Sequence, residues 1–345
     1  MELENTVEIT EVEFTGEDKK VAIKAFSRCH IATFAYVLIG IALIYIAQFV
    51  TMAIVGYDGL ITLSENPYYI WGLQVAALYV IAFPLFWLMI RKLPSAKRER
   101  SKMDIKEFGI IFLISQAVTL LGSILSSWIT SIVEIFLGHE IPDTTSELIS
   151  QTPIWLIILV VVIIGPIVEE MIFRKALIDK LSIYGDRLAI LVSAIGFGLF
   201  HGNLYQLFYA TALGLILGYM YTKTRNSLYN CLMHMAINFM GTIPAVLIQP
   251  ALDRLNALDP EALIDGSTIT DYMMIMGVSS LQYLLAIAGI VMAILAFRNK
   301  SWLIPDRCDI NIPKKDRPRV IVFNLGTVLF LLFCLAECVM SLFPA

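Results

Sequence analysis

Residues 155–174 (WLIILVVVIIGPIVEEMIFR) decide the fold of this chain. The run up to Val168 carries no charge and is followed directly by two adjacent carboxylates, Glu169 and Glu170, and then by Arg174. A charged side chain near the centre of a bilayer costs about 2.5–3.5 kcal/mol on insertion scales, so such residues usually face the interior of a helix bundle and serve a function there. This stretch therefore predicts a membrane helix with a buried polar site.

The composition of the whole chain supports the same fold. Hydrophobic residues make up 58% of its 345 positions and charged residues 16%, and its mean hydropathy is +0.76. A soluble protein of this length would carry more charge, and a spanning helix needs about 20 mostly apolar residues. We predict an all-α fold, a polytopic transmembrane helical bundle of eight to nine helices. The candidate helices are 31–56, 68–90, 108–137, 153–180, 187–201, 204–222, 227–249, 272–297 and 320–343.

The domain organisation is expected to be simple. Residues 1–30 are predicted to be a polar cytosolic N-terminal arm, because they lack the short basic start of a cleavable signal peptide. Residues 31–345 are predicted to form one integral membrane domain. The five cysteines show no CxxC spacing, so we expect neither a disulfide framework nor a zinc knuckle.

The Lys/Arg content of the loops predicts the orientation in the membrane. Loops 91–107 and 298–319 each carry seven basic residues and should be cytosolic. Loops 57–67 and 138–152 carry acids and no base, and loop 250–271 carries five acids against one arginine, so these three should lie outside. The alternation predicts a cytosolic N-terminus. Because the cytosolic loops are long and no organelle signal is visible, we expect a bacterial plasma membrane.

Three ionisable side chains lie deep within predicted helices. Measured from the nearest predicted cytosolic helix end, Glu169, His201 and His234 lie roughly 16, 21 and 14 Å inside at a rise of about 1.5 Å per residue. The other two histidines, His30 and His139, fall at predicted helix ends. Similar depth in three separate segments predicts that these three side chains meet.

Residue spacing adds local pairs, because residues four apart share one face of a helix. Glu170 and Arg174 can form an ion pair, whereas Glu169 points about 100° away and is the freer carboxylate. By the same spacing His234 and Asn238 should present polar tips to one spot. Phe197 shares a face with His201, and its ring should fix the imidazole. Small residues that would allow close helix approach surround this last pair: Gly196, Gly198 and Gly202.

These motifs resemble those of the CAAX protease and bacteriocin-processing family (CPBP, also called Abi). The chain carries the EExxxR motif from Glu169, the FxxxH motif from Phe197 and the HxxxN motif from His234, all within about 153–249. The resemblance implies a CPBP-like catalytic core in this segment and a glutamate-dependent intramembrane endopeptidase on a helical bundle. It also implies membrane-associated peptide or protein substrates in the lipid bilayer and no nucleic acid partner.

The resemblance assigns a role to each motif residue. Glu169 would act with His201 to activate a water molecule, and His234 and Asn238 would stabilise the oxyanion of the tetrahedral intermediate. This agrees with what peptide hydrolysis requires, namely a base for water and donors where negative charge develops. The supporting residues would be Glu170, Arg174 and Phe197.

Two other functions stay open at this point. Glutamate and histidine side chains are acceptable zinc ligands, so a zinc-dependent metalloprotease is an alternative, although no HExxH motif occurs; we expect no metal and no cofactor. Intramembrane carboxylates also build proton relays, so a non-enzymatic immunity or transport protein is the other alternative. Among peptidase substrates, prenylated CAAX proteins compete with bacteriocins and signalling peptides. The sequence carries no signal for oligomeric state.

Overall fold

The computed structural model describes residues 14–257, 266–299 and 306–343. Within these ranges the regular structure is helical and no strand occurs, so the all-α prediction is confirmed. The principal helices are α1 (Gly16–Ser64), α2 (Pro67–Ile90), α3 (Ile105–Leu137), α4 (Thr144–Ser150), α5 (Ile154–Tyr184), α6 (Asp186–Phe200), α7 (Leu204–Thr224), α8 (Ser227–Asn256), α9 (Gly266–Arg298) and α10 (Leu325–Met340). Helix α5 is π-helical over Ile158–Ile164 and over Glu170–Ile178.

Seven helices in the described part of the chain are long and apolar enough to cross a membrane: α1, α2, α3, α5, α7, α8 and α9. The protein is therefore a multi-pass membrane protein with a polytopic helical bundle. The predicted segments 187–201 and 320–343 form the shorter helices α6, with 15 residues, and α10, with 16. Helix α10 is short because the chain leaves helical geometry at Phe323 and Asn324 caps a new helix.

Helix α1 begins inside the predicted N-terminal arm. Thr15 caps it through a capping box with Asp18, and the helix runs on without a break until Gly56, where φ is +80°. Ala22, Phe26 and Cys29 are buried in the main hydrophobic core. Residues 1–13 of the predicted arm lie outside the described residues, and its cytosolic location stays a prediction.

Helix α7 occupies the centre of the bundle, between α6 and α3, while α9 packs on α3 and α1 packs on α10. The contact between α6 and α7 is close because glycines face it. A Cβ atom at Gly214 would lie 2.9 Å from the Cα atom of Ala194, and one at Gly198 would lie 2.7 Å from the carbonyl oxygen of Leu207. This contact fixes the end of α6, where His201 follows.

The three glycines predicted to allow close helix approach have different roles. Gly198 has the predicted role. A Cβ at Gly196 would make only an ordinary 3.7 Å contact with the ring of Phe173. Gly202 adopts φ +64° in the turn between α6 and α7, which is a conformation that favours glycine. A Cβ at Gly202 would also lie 3.1 Å from the Cβ of Glu337 on α10, so the prediction was right for Gly198 and Gly202 and is not supported at Gly196.

A cluster of ion pairs and hydrogen bonds around the buried carboxylate of Asp186 connects the segments at the end of the bundle that carries the basic loops. The carboxylate of Asp186, at the start of α6, accepts from Arg225 Nη2 at 2.5 Å and from Arg307 Nε at 2.8 Å. Tyr221 donates to Asp179 at 2.9 Å. These contacts join the turn before α6, the turn after α7 and the segment before α10.

Candidate active site

Helix α5 carries the predicted ion pair in the protein interior. Arg174 Nε lies 3.2 Å from Glu170 Oε2, and both side chains are 0% exposed. Within the described residues, no guanidinium nitrogen of Arg174 reaches hydrogen-bond geometry. Its Cζ atom lies 4.5 Å from the centre of the Phe197 ring, over its face. A carboxylate and an aromatic face therefore compensate the buried positive charge.

His234 lies between the two glutamates. Its Nδ1 atom is 3.0 Å from Glu170 Oε1, and its Nε2 atom is 3.7 Å from Glu169 Oε2. The two carboxylates differ in access, because the side chain of Glu169 is 22% exposed while that of Glu170 is fully buried. Glu170 thus orients the imidazole from within, and Glu169 approaches it from the open side.

His201 follows the last residue of α6, in the turn that leads into α7. Its Nδ1 atom is 2.8 Å from the carbonyl oxygen of Phe197. A carbonyl only accepts, so Nδ1 carries the proton in this hydrogen bond and the Nε2 atom of the neutral ring is free to accept. The Phe197 ring lies edge-to-face against both imidazoles, with its centre 4.9 Å from that of the His201 ring and 5.7 Å from that of the His234 ring.

Asn238 lies one helical turn beyond His234 on α8, as its spacing predicted. Its Nδ2 atom donates to the carbonyl oxygen of Val161 on α5 at 3.0 Å. This hydrogen bond uses one N–H of the amide, and the second N–H stays available. The side chain is thereby held at the boundary between α5 and α8.

A cavity of about 500 Å³ brings the predicted residues to one place. Its inner end is lined by Glu169, Phe197, His201, His234 and Asn238. Glu170 and Arg174 do not line it and lie behind it in the core. Three separate chain segments therefore converge as predicted, although the catalytic roles of their residues stay predictions.

Comparison with known proteins points to the same segment. Residues 151–240 match the family model described as "Type II CAAX prenyl endopeptidase Rce1-like". We call these matched residues, 151–240, the Rce1-like segment. The match contains all three motifs, and it confirms the predicted resemblance to the CAAX protease family.

A curated bacterial protein is also similar to this chain. It is described as "Putative membrane peptidase YdiL" of Bacillus subtilis (strain 168), and it is 27% identical over 190 residues, which cover 53% of this chain and 75% of the relative. No solved structure matches the chain. Together the Rce1-like segment and this relative support a membrane peptidase, that is, a hydrolase within the bilayer.

The sequence analysis missed one polar residue of the Rce1-like segment. Asn230 is fully buried and donates through Nδ2 to Glu170 Oε2 at 3.2 Å and to the carbonyl oxygen of Leu217 at 2.7 Å. It lies four residues before His234, so the spacing that paired His234 with Asn238 could have found it. Asn230 helps to hold the carboxylate that orients His234.

The candidate site combines the two carboxylates of Glu169 and Glu170 with the one guanidinium of Arg174, so their formal charges sum to −1. The imidazole of His234 contacts both carboxylates, Glu170 through Nδ1 and Glu169 through Nε2. No group of three or more His, Cys, Asp or Glu side chains in the described part of the chain has the geometry to hold a metal ion.

Proposed function

We propose that this chain is an intramembrane endopeptidase that hydrolyses a peptide bond with a water molecule activated by Glu169 and His201. The observation that carries the proposal is the cavity between the helices, because a carboxylate and two imidazoles from three segments meet on its wall. A peptidase needs such groups around one water-filled space. The Rce1-like segment supports the reaction class.

The base is Glu169 rather than Glu170. Glu170 already accepts from His234 and Asn230 and faces Arg174, so it has little capacity to take a proton. Glu169 lies on the cavity, and His201 offers a free Nε2 atom on the same wall. Water oxygen attacks the carbonyl carbon, and Glu169 takes the water proton and returns it to the amine nitrogen as the C–N bond breaks.

The oxyanion is stabilised by donors on α8. With Nδ1 donating to Glu170, His234 can donate to the oxyanion from Nε2 only as an imidazolium. Asn238 supplies its second N–H from one turn further along the helix. Donors fixed before the reaction cost little reorganisation and typically contribute 10²–10³ in rate.

The substrate is a membrane-associated peptide or protein. The matched family model is named for the processing of CAAX proteins, and the similar Bacillus protein is described as a putative membrane peptidase. Bacteriocin or signal-peptide maturation and self-immunity fit the same reaction on a different peptide.

The deciding experiment compares wild type with Glu169→Ala, His201→Ala and His234→Ala in membranes. Mass spectrometry scores the appearance of processed membrane-proximal peptides. Each variant should lose processing by at least ~10²-fold while expression and membrane insertion are kept. His139→Ala is the matched histidine control, because His139 lies in the loop before α4 and does not line the cavity. Equal processing by wild type and Glu169→Ala would refute the proposal.

A further inference from the structure

The cavity extends from the candidate site toward one end of the bundle only. On α8 its lining residues run from His234 to Gln249, which is fifteen positions, or about 22 Å at the α-helical rise. On α5 the lining runs the other way along the chain, from Glu169 back to Val160. Since α5 and α8 are antiparallel, the lining residues on both helices extend from the candidate site toward the same end of the bundle.

The cavity-lining residues on α2, α3 and α7 lie toward the same end of the bundle. On these helices the cavity is lined by described residues from the first thirteen positions of α2, the second half of α3 and the first half of α7: Trp71, Tyr79, Ser123, Ser127, Tyr205, Gln206, Tyr209, Ala210 and Leu213. These parts of the three helices all lie at the end where α5 begins and α8 ends. Helix α6 has 15 residues, about 22 Å against a hydrocarbon core of about 30 Å, so the turn that carries His201 lies below the membrane surface at this end.

Helix α4 lies at the mouth of the cavity. Thr145, Ser146, Ile149 and Ser150 line the opening. Two hydrogen bonds connect the segment around α4 to helices α7 and α2. Tyr205 donates from Oη to the carbonyl oxygen of Ile141 at 2.9 Å, and Trp71 donates from Nε1 to Thr152 at 2.9 Å.

The path from the site toward the opposite end is closed. Glu170, Arg174 and Phe173 fill the interior directly behind the site and are fully buried. Beyond them lies the ion-pair cluster of Asp186 with Arg225 and its neighbours. A peptide chain could not pass this region without separating buried charges, which costs several kcal/mol per ion.

The two ends of the bundle differ in charge. The three loops at the mouth contain Arg254 as their single Lys/Arg residue, and it is paired with Asp271 at 2.6 Å. The two loops at the closed end each carry seven basic residues. Basic loops stay in the cytosol, so the closed end is the cytosolic one.

We propose that the site receives its substrate from the extracytoplasmic face of the membrane. This inference rests on the proposed peptidase function and specifies its substrate class. The substrate is a peptide segment on the outer side, either a translocated peptide or the outer juxtamembrane part of a membrane protein. A CAAX C-terminus displayed in the cytosol would face the closed end.

Cysteine labelling tests the sidedness without any need for activity. Ser150→Cys in a Cys308→Ala background should react with a membrane-impermeant maleimide in intact cells. The native Cys308, exposed in the segment before α10, provides the opposite-side control and should react only after permeabilisation. The reverse pattern, with Cys308 labelled in intact cells and Ser150→Cys protected, would overturn the proposal.

Two activity measurements then test the access route. In permeabilised membranes, attachment of a bulky maleimide to Ser150→Cys in the Cys308→Ala background should reduce processing at least tenfold, whereas attachment of the same reagent to Cys308 of the wild type should leave it unchanged. Profiling of new peptide termini in wild-type and Glu169→Ala cells should locate the cleaved bonds in outer segments of membrane proteins. Cleavage confined to cytosolic segments would overturn the access route. Identical termini in both strains would instead refute the peptidase function, and the labelling result would still decide the sidedness.

Discussion

The Nδ1 atom of His234 lies 3.0 Å from Oε1 of Glu170, and both side chains are buried. This contact gives the two adjacent glutamates different roles. Glu170 is committed to the imidazole, to Asn230 and to Arg174, whereas Glu169 is left on the cavity wall. The consequence is that neighbouring residues of the same type should respond very differently to substitution.

Glu169→Gln and Glu170→Gln form the first test. Glu169→Gln should lower processing by at least ~10²-fold with little change in melting temperature, because it removes a base from an open cavity. Glu170→Gln should lower both, because Arg174 would keep a buried charge without its partner, at about 3–5 kcal/mol. The measurements are peptide processing by mass spectrometry and thermal unfolding in detergent. Equal melting temperatures for the two variants would contradict this division.

Arg174→Ala should destabilise the fold by about 3–5 kcal/mol, because it leaves the Glu170 carboxylate buried and unpaired. Lys175→Ala is the matched control on the same helix. Lys175 pairs with Asp179 at 2.6 Å, but its side chain is 35% exposed, so its loss should cost only about 0–1 kcal/mol. The measurement is thermal unfolding of the two variants side by side. A normal melting temperature for Arg174→Ala would contradict a stabilising role for the Glu170–Arg174 ion pair.

Gly198→Ala should weaken the contact between α6 and α7. The added methyl group meets the carbonyl oxygen of Leu207 and the side chain of Thr211, and such overpacking typically costs about 1–3 kcal/mol. His201 follows three residues later, so processing should fall as well. Gly196→Ala, two residues away, makes only ordinary contacts with the rings of Phe173 at 3.7 Å and Phe330 at 3.9 Å and should be neutral or slightly stabilising. If both variants melt at the same temperature, the close helix contact is not as described.

Chelation tests the zinc alternative that the sequence left open. We expect processing by the purified protein to survive EDTA, because no group of three or more potential ligands is formed by the described residues. Metal analysis of the same sample is the accompanying measurement. Loss of activity with EDTA, restored by Zn²⁺ and accompanied by one zinc per chain, would favour the metalloprotease.

Much of the site could be predicted from residue spacing alone. The pairing of Glu170 with Arg174 and the shared face of His234 and Asn238 are local consequences of helix geometry, and both are present. Spacing could not identify the partner of each imidazole. His234 contacts both glutamates, and Asn230 joins the same hydrogen-bond network from one turn earlier on α8.

The sequence by itself determined a helical membrane protein with its polar groups at three points, since apolar runs must form helices in lipid and buried charges must face one another. Only the tertiary structure decided that Glu169 faces a cavity while Glu170 is buried in the core beside it. It also decided at which end that cavity opens. These features depend on how α5, α7 and α8 pack around the short helix α6, and packing between distant segments leaves no periodic signal in the chain.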